Sequence, residues 1–439
     1  MSESRRCPRV VIVGGGAGGL ELATHLGDKL GKSGKAEIVL VDSQRTHIWK
    51  PLLHQLAAGS YDSHAEEIEY LAQARWHHFR FRQGRFEGLD RAKREILIAP
   101  LVDSAGREII AAQRLAYDYL VIALGSQTND FNTPGVAEYA IRLDSPDAAR
   151  EFHERLINVC LRANSQPPEA GQGRFTVAII GAGATGVELA AELHDAALVL
   201  GSFGLEHINP ERDLKIVLVD ANTRILSVLP ERLSEAAARE LRQLAVEIHS
   251  NERVVEVTAD GVHLASGAMI PSALTVWAAG IKAPDFLRGI DGLETNRLNQ
   301  LVVEPTLQST RDERIFALGD CAGCPDGKGG WVPARAQAAH QQATRLADNL
   351  QRTMAGKPMR AFRFTDHGSL VSLASYGSVG SLMGSLARGS LFIEGTFAKF
   401  MYWGLHKQHQ MALSGFWRTV LITLAEWLDK VHRPRIKLH

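Results

Sequence analysis

Short apolar runs alternate along the chain with segments whose apolar residues have a helical period. Val10 to Val13 predict a buried parallel strand, Leu20 to Leu30 predict a helix, and Glu37 to Ser43 predict the next strand. The same order is predicted a second time, at residues 176–180, 187–200 and 215–221. Two βαβ units indicate an α/β protein with two Rossmann-like domains.

In several later segments an apolar run is again followed by glycine. They are "LVIALGS" (120–126), "TVWAAGI" (275–281) and "DERIFALGDCA" (312–322). The polar stretch from Ala163 to Arg174, with two prolines, predicts a linker. Short Gly/Ser-rich strands are predicted near residues 369–393, and the chain then becomes helical.

Length and charge narrow the class of protein. The 439 residues exceed one hydrophobic core, and 45% apolar with 22% charged residues is typical of a folded protein. Lys+Arg and Asp+Glu both total 49, which gives no reason to expect nucleic-acid binding. The N-terminus has no apolar signal segment, and four cysteines are too few for a disulfide framework, so we expect a protein on the cytoplasmic side.

Each βαβ unit carries a glycine-rich turn between its first strand and its helix. Gly14, Gly16 and Gly19 fit G-x-G-x-x-G, which allows a tight turn, backbone approach to a pyrophosphate, and close helix packing. The second unit repeats this spacing at Gly181, Gly183 and Gly186. Two strand-flanked copies predict two dinucleotide sites, one for FAD and one for NADH, with hydride passing between them.

An acidic residue ends the second strand of each unit. Asp42 and Asp220 are placed to accept hydrogen bonds from a ribose diol. A carboxylate at Asp220 would repel a 2′-phosphate, so NADH is favoured over NADPH, although Arg224 lies close by in the sequence.

With these motifs, the chain resembles the two-dinucleotide-binding flavoprotein superfamily over most of its length. The resemblance implies that the first turn binds FAD and that Asp320 of the Gly-Asp pair binds the ribityl chain; a helix cap is the alternative role for Asp320. The residues expected to bind FAD are Gly14, Gly16, Ala17, Gly18, Gly19, Asp42, Ala123, Gly125 and Asp320, together with Lys50, Ala336 and Gln337, which a narrower family resemblance implies. Those implied for NADH are Gly181, Gly183, Thr185, Gly186, Glu188, Asp220, Ala279 and Gly280.

The cysteines do not suggest a relay of electrons through thiols. The segment "THIWKPLLHQLAAGSYD" (46–62), where many relatives carry a redox cysteine pair, has none. Cys321 and Cys324 form C-x-x-C without a second ligand pair, so we expect inert thiols and no metal site, with a redox-sensitive pair and a metal site as the alternatives. Cys160 and Cys321 leave open a sulfide:quinone oxidoreductase, against which the intact second glycine turn with Asp220 argues.

The segment "WVPARAQAAHQQATRLADNL" (331–350) predicts a helix after Pro333. Gln337 and Gln341 are four residues apart and share a face. With Ala336 and Ala339 they match the A-Q-x-A-x-Q element, so the chain resembles the type II NADH:quinone oxidoreductases, the single-subunit NADH dehydrogenases that pump no protons. This resemblance implies that Gln337 and Gln341 lie at the quinone pocket, beside the flavin. An ordinary surface helix is the alternative.

Two more residues gain roles by the same resemblance. Lys50, in "HIWKPLLHQLAAG", would contact the flavin. Glu188, near the start of the second helix, would lie near nicotinamide and quinone and influence binding or protonation. The alternative for Glu188 is an acid that stabilises the helix dipole.

The C-terminal segment predicts an amphipathic helix. No run of about 20 uncharged apolar residues predicts a spanning helix. One apolar face is predicted from Leu413, Phe416, Trp417, Val420, Leu421, Leu424, Trp427 and Leu428. From Gly395 to His439 seven basic residues stand against two acids, an excess of 7 − 2 = +5. We expect peripheral anchoring on a membrane surface, with packing on the protein's own core or on a homodimer partner as the alternatives.

Together these features predict a monotopic respiratory-chain NADH dehydrogenase on the cytoplasmic face of the inner membrane, passing electrons from NADH through FAD to a quinone such as ubiquinone. A sensor or interaction flavoprotein is the alternative of another class. The expected domains are residues 1–165 (FAD, first part), 174–290 (NADH), 291–360 (FAD, second part, with the quinone helix) and 361–439 (C-terminal, membrane-anchoring).

Overall fold

The computed structural model describes residues 7–61, 66–103, 105–165, 175–202, 213–373, 378–382, 391–394 and 396–429. The chain divides into two compact units. The first comprises Met1–Trp49, Glu67–Gln127 and Ile281–Thr365, and the second comprises Lys50–Glu66, Thr128–Gly280 and Asp366–His439.

The first unit is built on a six-stranded sheet and has further short strands outside it. In chain order, the strands of this unit are β1 (Arg9–Val13), β2 (Glu37–Asp42), β3 (Thr46–His47), β4 (Ile68–Glu69), β5 (Arg80–Gln83), β6 (Phe86–Asp90), β7 (Glu95–Ile98), β8 (Leu101–Val102), β9 (Glu108–Ile110), β10 (Gln113–Ala116), β11 (Tyr119–Ile122), β21 (Ile281–Lys282), β22 (Leu301–Val302), β23 (Gln308–Ser309), β24 (Asp312–Ala317) and β25 (Ala322–Gly323), and β12 (Gln127–Thr128) lies where the chain passes to the second unit. Its helices are α1 (Ala17–Leu26), α3 (Tyr70–Trp76) and α8 (Ala336–Met354). The main sheet has the order β23-β24-β11-β1-β2-β5 and is parallel except for β23.

The second unit repeats this plan with a five-stranded parallel sheet, in the order β13-β20-β14-β15-β16. Its strands are β13 (Ala140–Arg142), β14 (Phe175–Ile180), β15 (Leu214–Asp220), β16 (Glu247–Ser250), β17 (Val254–Thr258), β18 (Gly261–Leu264), β19 (Met269–Pro271), β20 (Leu274–Trp277), β26 (Gly368–Ser372), β27 (Ser378–Leu382) and β28 (Leu391–Glu394). Its helices are α2 (Leu53–Ala58), α4 (Val136–Tyr139), α5 (Pro146–Ser165), α6 (Ala184–Ser202), α7 (Glu231–Gln243), α9 (Thr396–Ser414) and α10 (Phe416–Asp429).

Buried parallel strands explain the apolar runs in the sequence. Val10 to Val13 in β1 and Val217 to Val219 in β15 are almost fully buried, because helices and loops cover both faces of a parallel sheet. Both predicted βαβ units are therefore confirmed. The first helix begins at Ala17, three residues before the predicted start, and a π-helical turn follows it at Gly27–Gly31.

The predicted C-terminal helix is wrong in one respect. Gly415, at φ +77°, separates α9 from α10, and such a left-handed residue ends a helix. Leu413 lies on α9 and is fully buried, so it does not belong to the predicted apolar face. The predicted linker and the basic C-terminal residues lie largely outside the described residues, as does the side chain of Trp427.

No helix in the described ranges combines the length and the apolar character needed to cross a membrane.

Candidate functional site

The first glycine turn connects β1 to α1 and is open on one side. Gly14 has φ +99°, and a Cβ on it would lie 2.4 Å from the carbonyl oxygen of Ala123. A Cβ on Gly19 would lie 1.9 Å from the carbonyl oxygen of Gly14, so side chains are excluded at both positions. A Cβ on Gly16, which precedes α1, would meet nothing within 4 Å. The turn is therefore packed against protein on one side and exposes its backbone on the other, as a pyrophosphate requires.

Three side chains hold this turn in place through hydrogen bonds to the backbone of Gly15. Asp42 Oδ2 accepts a hydrogen bond from the Gly15 N–H at 2.6 Å. The Gly15 carbonyl oxygen accepts from the Tyr70 hydroxyl at 2.8 Å and from His47 Nδ1 at 2.9 Å. Burial lowers the pKa of His47 to about 4, so the ring is neutral and Nδ1 carries the donated hydrogen. Sequence reasoning missed Tyr70 and His47, because nothing local marks them as neighbours of the turn.

Two further residues predicted for the FAD site, Gly125 and Asp320, lie on the loops that follow β11 and β24. Gly125, at φ +72°, has open space where a Cβ would be. Ser126 donates its hydroxyl hydrogen to Asp320 Oδ2 at 2.8 Å, and the Asp320 carbonyl accepts from Gln300 Nε2 at 2.9 Å. Asp320 is thus fixed beside the loop that carries Gly125. Gln300 is a further positioning residue that the sequence did not reveal.

The second turn has nearly the same construction. A Cβ on Gly181 (φ +104°) would lie 2.7 Å from Ala279, and one on Gly186 would lie 1.9 Å from the Gly181 carbonyl oxygen. A Cβ on Gly183 would again meet nothing within 4 Å, and the neighbouring Thr185 is exposed. Nearby Gly280 is left-handed, at φ +62°.

Asp220 locks the second turn as Asp42 locks the first. Its Oδ2 accepts from the Ala182 N–H at 2.5 Å, and its Oδ1 accepts from the backbone N–H of Asn222 at 2.7 Å. Arg224 donates to the carbonyl oxygens of Leu229 and Ser227 at 2.8 and 2.9 Å. Arg224, which lies near Asp220 in the sequence, therefore stabilises the loop that carries it.

Glu188 lies on α6 and is buried among groups from distant parts of the second unit. Its Oε1 accepts from the Ser372 N–H at 3.0 Å, and its Oε2 lies 3.4 Å from His54 Nδ1. Burial, reinforced by the charge of Glu192, raises the pKa of Glu188 to about 8, while burial lowers the pKa of His54 to about 4. At neutral pH a protonated carboxyl therefore faces a neutral imidazole. Lys50 is exposed at the start of the 3₁₀ turn that precedes α2.

The glutamine helix α8 begins at Ala336 and carries both predicted glutamines, half-buried. The carboxamide of Gln341 donates to the Thr365 carbonyl at 2.8 Å and accepts from the Thr365 N–H at 3.0 Å. Among the described residues the second N–H of that amide has no acceptor, so it remains for another one. Gln342, which the sequence did not single out, is buried and accepts from the Gly319 N–H at 2.7 Å.

All four cysteines are free thiols. Cys321 and Cys324 are fully buried, and burial raises the pKa of each to about 12. Burial also raises the pKa of Cys160 to about 11. Because the thiolate is the reactive form, none of these three thiols is suited to nucleophilic or redox chemistry.

Comparison with known proteins gives a consistent answer. Residues 8–343 match the family model described as pyridine nucleotide-disulphide oxidoreductase. The chain is 43% identical to the type II NADH:quinone oxidoreductase of Haemophilus influenzae, over 98% of this chain and 99% of that protein. It is 29% identical to the demethylphylloquinone reductase NdbB of Synechocystis, again over 98% and 99%.

Solved structures share the fold. The NDH2 of Plasmodium falciparum in complex with NADH superposes with a TM-score of 0.80 at 18% identity, covering 98% of this chain and all of that one. The sulfide:quinone oxidoreductase of Aquifex aeolicus reaches 0.71 at 17% identity, covering 93% and 92%. With full-length identity of 43% to a curated relative, the chain belongs to the type II NADH:quinone oxidoreductases within the pyridine nucleotide-disulphide oxidoreductase family.

Proposed function

We propose that this protein oxidises NADH and reduces a quinone, using FAD as the intermediate carrier and pumping no protons. The observation that carries the proposal is the pair of glycine turns, each open at its central glycine and each locked by a carboxylate at the end of the neighbouring strand. One dinucleotide donates the electrons and the other carries them, so one chain needs two such turns.

The first turn fits FAD. Gly16 leaves its backbone open for the pyrophosphate, and Gly125 leaves open space on the neighbouring loop. Asp42 would accept from the ribose and Asp320 from the ribityl chain, with Lys50 near the flavin ring. Bound FAD would supply the two-electron chemistry that links a hydride donor to a quinone.

The second turn fits NADH better than NADPH. Asp220 presents a carboxylate where a 2′-phosphate would bring further negative charge. Arg224 donates to two carbonyl oxygens of its own loop, so it offers little compensation for that charge.

Glu188, Gln337 and Gln341 are the proposed catalytic residues. Glu188 holds a proton at neutral pH, and quinone reduction consumes two protons. Gln337, and the remaining N–H of Gln341, would donate to the quinone carbonyl oxygens without adding charge.

We further propose that α10 places the enzyme peripherally on the cytoplasmic face of the inner membrane. Its exposed apolar side chains are Phe416, Trp417, Leu421, Leu424 and Leu428, of which Trp417 is 77% exposed. Such a stripe suits the surface of a bilayer that holds a hydrophobic quinone, and the basic excess of residues 395–439 suits anionic lipid headgroups. A homodimer built on α10 is the competing arrangement.

Stopped-flow spectroscopy of the purified protein tests the proposed reaction. NADH should bleach the flavin quickly, NADPH slowly, and a short-chain quinone should restore the colour. A second sample receives sulfide in place of NADH. Bleaching by sulfide but not by NADH would overturn the proposal in favour of sulfide oxidation, which the burial of Cys160, Cys321 and Cys324 argues against.

A further inference from the structure

One helical turn of α8, from Ala339 to Gln342, is attached to several parts of the first unit. Ala339 lies so close to α1 that a Cβ on Gly18 would be 3.1 Å from its carbonyl oxygen. Gln341 is bonded to Thr365 and Gln342 to the Gly319 N–H. The remaining residue of this turn, His340, contacts a buried acidic side chain on α1.

That acid is Glu21, whose side chain is completely buried. His340 Nδ1 lies 2.7 Å from Glu21 Oε2, while Glu21 Oε1 has no hydrogen-bond partner among the described residues. The hydrogen bond that His340 donates to Glu21 raises the pKa of His340, which favours the imidazolium. The Glu21 carboxylate therefore depends on His340 for its compensation.

The contact between α1 and α8 at Gly18 and Ala339 involves small side chains and has no directional group. The rotation of this turn therefore depends on its directional bonds, which join Gln342 to Gly319, Gln341 to Thr365 and, alone among the three, His340 to α1. His340 lies one residue before Gln341 and three after Gln337. A change in its position would therefore turn both glutamines.

We propose that Glu21 and His340 form a positioning pair that holds the rotation of α8 relative to α1 and so directs Gln337 and Gln341 toward the quinone. This inference rests on the proposed function, because it assigns the two glutamines to the quinone end. The pair touches no reacting atom, and its effect should appear in quinone binding rather than in oxidation of NADH.

Three variants separate positioning from plain stability. His340→Leu leaves Glu21 buried without a partner, and should lower the melting temperature by roughly 5 °C or more and raise the quinone KM on the order of tenfold. Glu21→Gln keeps a directional hydrogen bond from neutral His340, so its KM should stay within about twofold. The double variant Glu21→Met/His340→Leu replaces the charged pair by apolar side chains and should recover most of the stability.

The double variant decides between the two roles. Its quinone KM should remain raised on the order of tenfold although its melting temperature recovers, because apolar contacts do not fix rotation. In all variants flavin reduction by NADH should stay within about twofold. A double variant whose KM returns with its stability, a normal KM in His340→Leu, or an equal loss in flavin reduction would each overturn the proposal.

A matched control and a second readout complete the test. His77→Leu breaks another histidine–carboxylate pair of the first unit, to Asp28 at 2.9 Å, and should leave the quinone KM unchanged. Hydrogen exchange of the α8 amides, measured without quinone, should quicken in His340→Leu and in the double variant and stay normal in Glu21→Gln. Because this readout needs no turnover, it separates failure of the positioning pair from failure of the proposed reaction; unchanged exchange would refute the pair's role.

Discussion

Glu188 offers a quantitative test, because its protonation links stability to pH. In Glu188→Gln the amide oxygen can still accept the Ser372 N–H, so the change removes an ionisable group while keeping the hydrogen bond. The side chain is 7% exposed, and Gln has nearly the same volume. The effect of the variant should therefore come from ionisation rather than from packing.

The sign follows from the raised pKa of Glu188. Its ordinary value is 4.5 and its folded value is about 8, so between these pH values the folded protein holds a proton that the unfolded chain has released. Stability from this group is therefore full below pH 4.5 and is lost as pH rises toward 8. At about 1.4 kcal/mol per pH unit, the loss is under about 1 kcal/mol at pH 5 and roughly 3 kcal/mol at pH 7.

Glu188→Gln should consequently be more stable than the wild type by an amount that grows with pH. Urea unfolding of the flavin-loaded enzyme, followed by circular dichroism at pH 5, 6, 7 and 8, measures the difference between the two proteins. Glu235→Gln, at an exposed position of α7, is the control and should give a flat difference. A flat difference for Glu188→Gln as well would refute the argument that this carboxyl is protonated in the folded protein.

Three further changes probe the second dinucleotide site, the thiols and the tail. Asp220→Asn should raise the NADH KM on the order of tenfold while leaving the quinone KM unchanged, in steady-state assays that vary each substrate, because it removes a charged acceptor from the ribose site. Replacing Cys321 and Cys324 together by Ala should leave quinone turnover within about twofold, since buried thiols with raised pKa take no part in electron transfer. Trp417→Glu with Leu421→Glu should move the enzyme from liposomes into the soluble fraction, measured by flotation, because both side chains are exposed on α10.

Each of these has an outcome that contradicts it. Equal effects of Asp220→Asn on both substrates would count against its assignment to the coenzyme. Turnover near background in the double cysteine variant would reopen a thiol relay. Continued liposome binding by the charged variant, with loss of a dimer in light scattering, would assign α10 to an interface between two copies of the chain.

The βαβ units could be predicted from the sequence because their signals are local. A buried parallel strand needs a continuous apolar run, and a glycine turn needs fixed spacing, so both can be read within about 30 residues. The break at Gly415 was missed because apolar residues keep a spacing of threes and fours across it. Periodicity alone cannot distinguish one helix from two that meet at a left-handed glycine.

The surroundings of the site residues could not be predicted, because they depend on contacts between distant parts of the sequence. The partner of Glu188, Ser372, is 184 residues away, and Gln341 bonds to Thr365, which is 24 residues away. The sequence likewise could not show that residues 50–66 belong to the second compact unit. Candidate residues were available from motifs, but their protonation and hydrogen bonding required the tertiary structure.

The repeated motif shows how far environment overrides sequence. Glu21 and Glu188 each lie seven residues after the first glycine of their turn, and each faces a histidine from another element. His340 keeps 35% of its side chain exposed and lies 2.7 Å from Glu21, and its hydrogen bond to Glu21 raises the pKa of the imidazole. His54 is 1% exposed and 3.4 Å away, so it stays neutral and Glu188 keeps its proton. The exposure of the histidine therefore distinguishes the two sites: the partly hydrated His340 favours its imidazolium and holds α8 against α1, whereas the buried, neutral His54 leaves Glu188 protonated.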